Sequence, residues 1–483
     1  MLMKVTTEPR FQPVEIGNLD GMRAILEPVD EVMSAHAGMG MIGRVERKVG
    51  LVAELARRIN DPRLAHLVDH KTLDILLQRV SQIAAGYTDG NDCDWLRFDS
   101  ALKWSLNRHP VSGAPGASQE TTCRFELKAV TKGNRRKVLN TLIEHYIRHH
   151  KKPPKEIVIE PDGSMIKTHG AQQGAVYRGG KYKHEMYFPL FIFIGEWIVG
   201  AVLRAGNKSE ARTILSELKT LVRKLRDRWW NIPIKVRMDA AFPSPTLLKW
   251  LREQKISYEI GLRPTSVLIS YSRHFMEQAC NQFYTQFGKP RFIGRDGNRK
   301  AQAEHQRIRE LPKDRRMIAE KELAERRTRV IGEFYYKPNT WQQWERVIAR
   351  CDYTDKGPDL RLIVVSQQRG IPKNIYEDSY CRRGALEQLI GQLKRTGQKL
   401  SAQTFRANQF RLLLYAVAYQ LLVHLRESIK GIAEKSDVST LRQMLMLLPM
   451  VVRSTKTKII FQISRFDLRC RHFLAAWRRL STA

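Results

Sequence analysis

Hydrophobic spacing changes period several times along this chain. From about residue 31 to 108, apolar positions recur every three or four residues, in VERKVGLVAELARRI, TLDILLQRVSQIAAGY and DWLRFDSALKWSLNR. That spacing predicts amphipathic helices. The first 30 residues show no period and read as an irregular segment. HPVSGAPGASQ (109–119) reads as a loop, and the helix-rich stretch after it ends in the basic RHHKKPPK (148–155). There the period becomes two. EIVIEPDGS (156–164) predicts a strand, and EMYFPLFIFIGEWIVGAVLRA predicts two strands turning at Gly195-Glu196. SEARTILSELKTLVRKLRDRW (209–229) predicts a helix, IPIKVRMD (232–239) a strand, and ISYEIGLR (256–263) another strand. Between the last two, SPTLLKWLREQK (244–255) predicts a helix capped by Ser244, with Pro245 at its first position. The order gives an α/β class, a mixed sheet flanked by helices.

Residues 266–375 interrupt this pattern. A highly charged helical piece (about 299–328) precedes three β-rich runs, TRVIGEFYYK, WERVIARCDYT and LRLIVVSQQ, so the insertion reads as α+β. A helix begins near residue 378. TFRANQFRLLLYAVAYQLLVHLRESI (404–429) is apolar on most of its circumference and predicts a buried helix. The chain then divides into an irregular segment (1–30), a helical region (31–150), a first α/β part (151–265), the insertion (266–375), a second α/β part (376–432) and a basic helical tail (433–483). In that tail, residues 451–479 carry eight Lys and Arg against one acid, Asp467.

The helix predicted near residue 378, YCRRGALEQLIGQLKRTG (380–397), carries a polar stripe. At about 100° per residue, Tyr380, Arg383, Glu387 and Lys394 point within roughly 60° of one another, beside an apolar sector of Leu386, Leu389, Ile390 and Leu393. Such a stripe is either a solvated, ion-paired face or a carboxylate that holds a cation while its neighbours hold phosphates.

Charge narrows the choice of partner. The 483 residues carry 83 Lys and Arg against 49 Asp and Glu, a net +34, which points to a polyanion. Nucleic acid is the first candidate and an acidic membrane surface the weaker one. The six cysteines are scattered, with no paired or zinc-like spacing, so neither a disulfide framework nor a zinc site is supported and a reduced cytoplasm fits. The N-terminus lacks the apolar core of a signal peptide, and FPLFIFIGEWIVGAVL (188–203) is too short and interrupted to span a membrane.

Two further acids stand at strand ends, where α/β sites form: Asp162, after EIVIE, and Asp239, closing IPIKVRMD. Each alone reads equally as a turn or cap residue. Together with Glu387 in a strongly basic chain they form the set that two-metal phosphoryl chemistry needs, two Mg²⁺ ions about 3.5–4 Å apart. Mg²⁺ takes carboxylate and water oxygens, and Mn²⁺ is its usual substitute.

The chain resembles the bacterial insertion-sequence DDE transposases that carry an insertion domain between the second and third acids. The resemblance runs from about residue 40 to 430 and rests on AAGYTDGNDCDWLR (84–97), ASQ and RFE (117–126), the DGS, HG and QG of 162–174, VRMDAAF (236–242), YCRRGALEQLIGQLK (380–394) and TFRANQFRLLLYAVAYQLL (404–422). The Tyr/Arg/Glu/Lys signature matches in spacing as well as type and is the specific element. The resemblance implies an RNase H-like catalytic core with an N-terminal all-α DNA-binding region. It implies that Asp162, Asp239 and Glu387 hold two Mg²⁺ ions, and that Tyr380, Arg383 and Lys394 grip DNA phosphates beside the scissile bond. It further implies a cytoplasmic, nucleoid-associated bacterial enzyme that cuts terminal inverted repeats, joins the free 3′-OH to target DNA by way of hairpin ends, and acts as a homodimer on double-stranded DNA. Two departures stand out: Glu160-Pro161 replaces the usual Asp and aliphatic residue, and Ala240-Ala241 replaces Ser-Gly.

Several positions remain open between two roles. Glu160 and His169 are candidates for a supporting layer behind the ligands, Glu160 also a rival ligand and His169 equally a turn histidine. Arg178, Lys181 and Lys183 follow the first Asp motif and are placed to track phosphate. The helices of 31–108 suit a helix-turn-helix-type module for the element's ends or a packing domain. Tyr335, Tyr336, Trp341 and Trp344 suit either a distorted base or a small core. The rival functions are an RNase H-like structure-selective nuclease and a non-catalytic DNA-binding derivative of a transposase.

Overall fold

In the computed structural model, which describes residues 12–168, 170–180, 182–207, 210–294, 296–397, 399–434 and 436–482, the period-two segments join into one eight-stranded sheet. Its spatial order is Arg327–Tyr336, Glu345–Thr354, Gly357–Val365, Ser257–Leu262, Ile234–Met238, Ile157–Gly163, Leu190–Ile194, Trp197–Val202. Ile157–Gly163, Ile234–Met238 and Ser257–Leu262 run parallel, and every other neighbouring pair is antiparallel. Ser244 caps the helix Pro245–Glu253 as its sequence predicts, accepting from the Leu247 N–H at 3.3 Å.

Strand alternation gives the sheet two unlike faces. Ile157, Ile159, Ile234, Val236, Met238, Leu190 and Ile192 enter one apolar core, shared with the helices Glu210–Arg228, Pro245–Glu253 and Ser266–Phe287. Phe191, Phe193, Ile198 and Ala201 point the other way, into a second core built around the helix Phe405–Ser428. That helix is buried on all sides from Ala407 to Arg426. Two of its glutamines bind the sheet: Gln409 Oε1 accepts from Leu203 N at 2.7 Å, and Gln420 Oε1 accepts from Ile198 N at 3.2 Å. The N-terminal helices Met39–Val49, Leu51–Arg58 and Thr72–Ala85 pack on the far side of the same helix and share its core, rather than standing apart as a module.

Four expectations are corrected. The segment expected to be irregular holds a hairpin, Val14–Leu19 with Met22–Leu26, turning at Asp20 (φ 51°) and Gly21 (φ 82°). An Asp-Gly pair, both residues at positive φ, is the chemistry of a two-residue hairpin turn. The basic tail is not all helical: Met450–Ser454 pairs on one side with Ile459–Gln462 and on the other with Met33–Ser34, so the region from residue 31 is not all-α either. The insertion opens with the unforeseen helix Ser266–Phe287, and its three strands extend the main sheet through Gly357–Val365 pairing with Ser257–Leu262. Lastly, the stretch around Tyr380 is three structures in series: a π-helical turn Ile375–Ser379, a 3₁₀ turn Tyr380–Arg383 and an α-helix Gly384–Thr396. Among the described residues, no helix is long and apolar enough to cross a membrane.

Candidate active site

Because odd-numbered residues of Ile157–Gly163 enter the first core, Glu160 and Asp162 face the opposite side, toward residues 375–396. The same alternation turns Lys235 and Arg237 of the neighbouring strand to that side, and Asp239 follows them. The parallel register pairs Val236 with Ile159. Continued by three residues, it sets Asp239 level with Asp162.

One row below the two aspartates lies a charged floor. Arg237 Nε is 3.3 Å from Glu160 Oε1, and Lys235 Nζ is 3.2 Å from Glu259 Oε1. Arg237 donates to the Ser379 carbonyl at 2.6 Å, and Ser379 Oγ donates to Glu259 Oε1 at 2.6 Å. These groups fix the turn that carries Tyr380 and Arg383. Glu160 is buried, which pushes its carboxyl upward against the pull of Arg237, and it lies in this floor one row from Asp162. Arg237 and Glu259 were not singled out from the sequence. For Arg237 the signal is present, two residues before Asp239 and hence on the same face of the strand. Glu259 has no such neighbour and is brought in only by the pairing of its strand with Ile234–Met238.

Each aspartate has one oxygen tied to backbone. Asp162 Oδ1 accepts from Gly163 N and Asp239 Oδ1 from Ala241 N, both at 2.8 Å. The other oxygens meet Arg383, whose Nη2 lies 3.0 Å from Asp162 Oδ2 and 4.0 Å from Asp239 Oδ2. Tyr380 and Arg383 reach the same spot for a different reason than α-helical spacing: in a 3₁₀ turn, residues three apart eclipse. The Tyr380 hydroxyl stands 3.4 Å from the Met238 carbonyl, and burial pushes its phenol up to about 12. Gly261 leaves the room this requires: a Cβ there would lie 2.8 Å from Ala240 N and 3.0 Å from Tyr380 Oη.

Glu387 and Lys394 follow on the α-helix. Leu386, Leu389, Ile390 and Leu393 are buried as the stripe predicts, while Glu387 is exposed in the first turn. Lys394 is half-buried, and that burial lowers its pKa. The insertion strands brace this segment from below. Ile348, Ile363 and Val365 pack on Ile375 and Tyr376, and Arg329 bridges Asp352 (2.8 Å) and Glu377 (2.7 Å). Of the insertion aromatics, Tyr336 and Trp341 pack into the sheet core, with ring centroids 5.6 Å apart, whereas Tyr335 and Trp344 are exposed.

The loop after Asp162 is tied to the buried helix. Gln173 N donates to the Gln403 carbonyl at 2.9 Å, and Gln172 Nε2 donates to the Leu400 carbonyl at 2.8 Å. Beyond it, Arg178 lies on a small three-stranded sheet, its guanidinium 5.6 Å from the Tyr182 ring and 5.3 Å from the Phe188 ring, and Lys183 is exposed. His169 and Lys181 lie outside the described residues. The sequence motifs at 84–97 and 117–126 have structural work: Arg79 donates to the Asp89 carbonyl at 3.1 Å, and Glu126 joins Arg79 and Arg411 in a buried triad.

Asp162 and Asp239 offer only oxygens and already share one cationic nitrogen, a donor set that suits a hard divalent cation. Glu387 is not gathered with them. Among the described residues, one set of three His, Cys, Asp or Glu brings its ligand atoms within 4.8 Å of one another, and it is His149, His424 and Glu427. The structure thus sets Asp162 and Asp239 beside each other with Arg383 against them, and Glu387 stands apart from the pair.

Two aspartates on adjacent parallel strands, beneath a cationic turn in a chain of net charge +34, mark a protein built to handle a polyanion. Residues 30–483 match the model of the family described as Transposase DDE domain group 1, and the chain belongs to that family. No curated protein matches it. Among solved structures, the piggyBac transposase synaptic complex with hairpin DNA, determined by cryo-EM, aligns with a TM-score of 0.37 at 10% identity, covering 84% of this chain and 78% of that chain.

Proposed function

We propose that this transposase cuts the ends of a bacterial insertion sequence and joins the free 3′-OH to target DNA, with Asp162, Asp239 and Glu387 as its catalytic acids. The carrying observation is the placement of Asp162 and Asp239 side by side on adjacent parallel strands, with Arg383 between them and the solvent-facing helix start. The sheet supports an RNase H-like core: from Trp197–Val202 to Ser257–Leu262 its strands run in the chain order third, second, first, fourth, fifth, and the first, fourth and fifth are parallel.

Arg383 is the counter-charge of the two aspartates in the DNA-free chain. An incoming phosphate competes with those carboxylates for the same guanidinium, and a bidentate Arg–phosphate contact is a strong one. Tyr380, protonated at any working pH, donates to phosphate beside it, and Lys394 adds a cation about two turns beyond Glu387 on the helix. Arg178 and Lys183 extend the phosphate track. Mg²⁺ or Mn²⁺ held by the three acids would supply the Lewis-acid activation of the attacking oxygen. The partner is double-stranded DNA carrying terminal inverted repeats, cut by way of hairpin ends within a protein dimer.

The test is cleavage of a labelled duplex bearing the element's own ends, by wild type and Glu387→Gln, with Mg²⁺ or with EDTA. Metal-dependent cutting that is lost in the variant while DNA binding persists supports the reading. Equal cutting by both proteins removes Glu387 from the site, and binding without cutting under any divalent metal replaces the enzyme with a DNA-binding derivative.

A further inference from the structure

Away from the aspartates, a second cluster of titratable groups lies where the helix Thr141–His149 meets the buried helix Phe405–Ser428. His145 and His149 stand four apart on the first helix, and His424 and Glu427 three apart on the second, so each pair projects from a single helix face. The ligand atoms of His149, His424 and Glu427 all lie within 4.8 Å of one another. His424 Nδ1 is 3.2 Å from Glu427 Oε2, and His424 Nε2 is 2.8 Å from His145 Nε2. His145 and His424 are buried, while His149 stands at the exposed rim. Trp197 closes the cluster from the sheet edge, its ring 4.9 Å from that of His424 and 4.6 Å from that of His149.

This geometry meets the requirements of a metal site. Two ring nitrogens facing each other at 2.8 Å share one proton. When His424 Nε2 donates it to His145, His424 Nδ1 presents a lone pair on the side of Glu427 and His149. Metal-bound histidines are oriented in this way, one nitrogen ligating while the other donates to a neighbour. The 3.2 Å between His424 Nδ1 and Glu427 Oε2 is near the roughly 3.3 Å separation of two ligands that each stand about 2.0 Å from a tetrahedral ion. The flanking cations are already engaged: Arg426 pairs with Glu196 at 2.8 Å and Arg148 with Glu54 at 3.3 Å. Two imidazoles and one carboxylate favour zinc, cobalt or nickel over Mg²⁺.

We propose that His149, His424 and Glu427 bind a zinc ion or a similar borderline divalent ion, with His145 setting the tautomer of His424. Solvent at the His149 rim supplies the fourth position. The ion ties the N-terminal helical layer to the buried core helix. It sits beyond the edge strand Trp197–Val202, two strands from the strand of Asp162. Without the ion, the same atoms form a His145–His424–Glu427 hydrogen-bond chain.

The experiment uses untagged full-length protein dialysed against Zn²⁺ or against Mg²⁺, with bound metal measured by elemental mass spectrometry and thermal unfolding followed in parallel. One zinc per chain that excess Mg²⁺ does not displace, with a raised melting temperature, is expected. His149→Gln and Glu427→Gln change rim residues. They are expected to weaken zinc binding about tenfold or more while leaving the metal-free melting temperature unchanged. His472→Gln, at an exposed position of the helix Cys470–Thr482, should bind zinc as wild type does. Zinc binding of equal strength in wild type and both rim variants overturns the site, as does absence of stoichiometric zinc in wild type. Neither readout depends on DNA cleavage.

Discussion

Arg383 places Nη2 3.0 Å from Asp162 Oδ2, so the proposed phosphate clamp is, without DNA, the partner of one of the proposed catalytic acids. Two opposite effects follow for Arg383→Ala. End cleavage should fall by about 10- to 100-fold, the worth of a lost charge-assisted contact of roughly 1.5–3 kcal/mol. Mn²⁺ binding without DNA should tighten, because a competing cation has gone. Single-turnover cleavage and a Mn²⁺ titration read the two effects separately, and unchanged Mn²⁺ affinity would show that the guanidinium does not guard the acids.

Gly261 leaves the gap in which the Tyr380 hydroxyl reaches the Met238 carbonyl, one residue before Asp239. Gly261→Ala puts a methyl 2.8 Å from Ala240 N, a backbone atom that cannot step aside without moving Asp239. A loss of about 1–3 kcal/mol in stability is expected from overpacking, with a larger proportional loss of cleavage. Urea unfolding beside the cleavage assay checks both; wild-type cleavage in the variant would mean that the fit of Tyr380 against the backbone at 238–240 is not critical.

Glu126 is the hub of a buried triad. It accepts from Arg79 Nε at 3.0 Å and from Arg411 Nε at 2.5 Å, joining the N-terminal helices to the buried core helix. Glu126→Gln leaves two buried guanidinium groups without a counter-charge. A cost of about 3–5 kcal/mol is expected, read by denaturant unfolding. A change under about 1 kcal/mol would mean that water reaches the site in the variant.

Glu46 predicts a pH dependence of stability. Burial raises its carboxyl from 4.5 to about 7, opposed by N–H donation from Val52 and Ala53 at 2.9 Å each. The folded chain holds this proton more tightly than the unfolded one, so the contribution is full below pH 4.5 and is lost as pH rises through about 7. Between pH 5 and 7.5, wild type should lose more melting temperature than Glu46→Gln. Parallel loss in both proteins would contradict the assignment.

Much of the local structure is legible in the residues. Period two marks the core strands, Ser244 caps its helix, and the apolar sector of 386–393 is buried as its spacing requires. The Asp20-Gly21 turn is equally legible, an Asp-Gly pair between Leu19 and Met22. The 3₁₀ turn at Tyr380–Arg383 is not, because four polar residues spaced for an α-helix serve an eclipsed turn as well.

By itself, the sequence determined the strand alternation that turns Asp162 and Asp239 to one face, the excess of cations that calls for a polyanion, and the amphipathic helix that carries Glu387. Those properties depend on spacing between near neighbours in the chain. Only the tertiary structure decided what stands beside what. Asp239 comes level with Asp162 through a parallel register, Arg383 closes on both, Met450–Ser454 finds Met33–Ser34, and His149 meets His424 across two helices. Each of these pairs is far apart in sequence and close in space, and nothing in local periodicity encodes a contact paid in long-range chain closure.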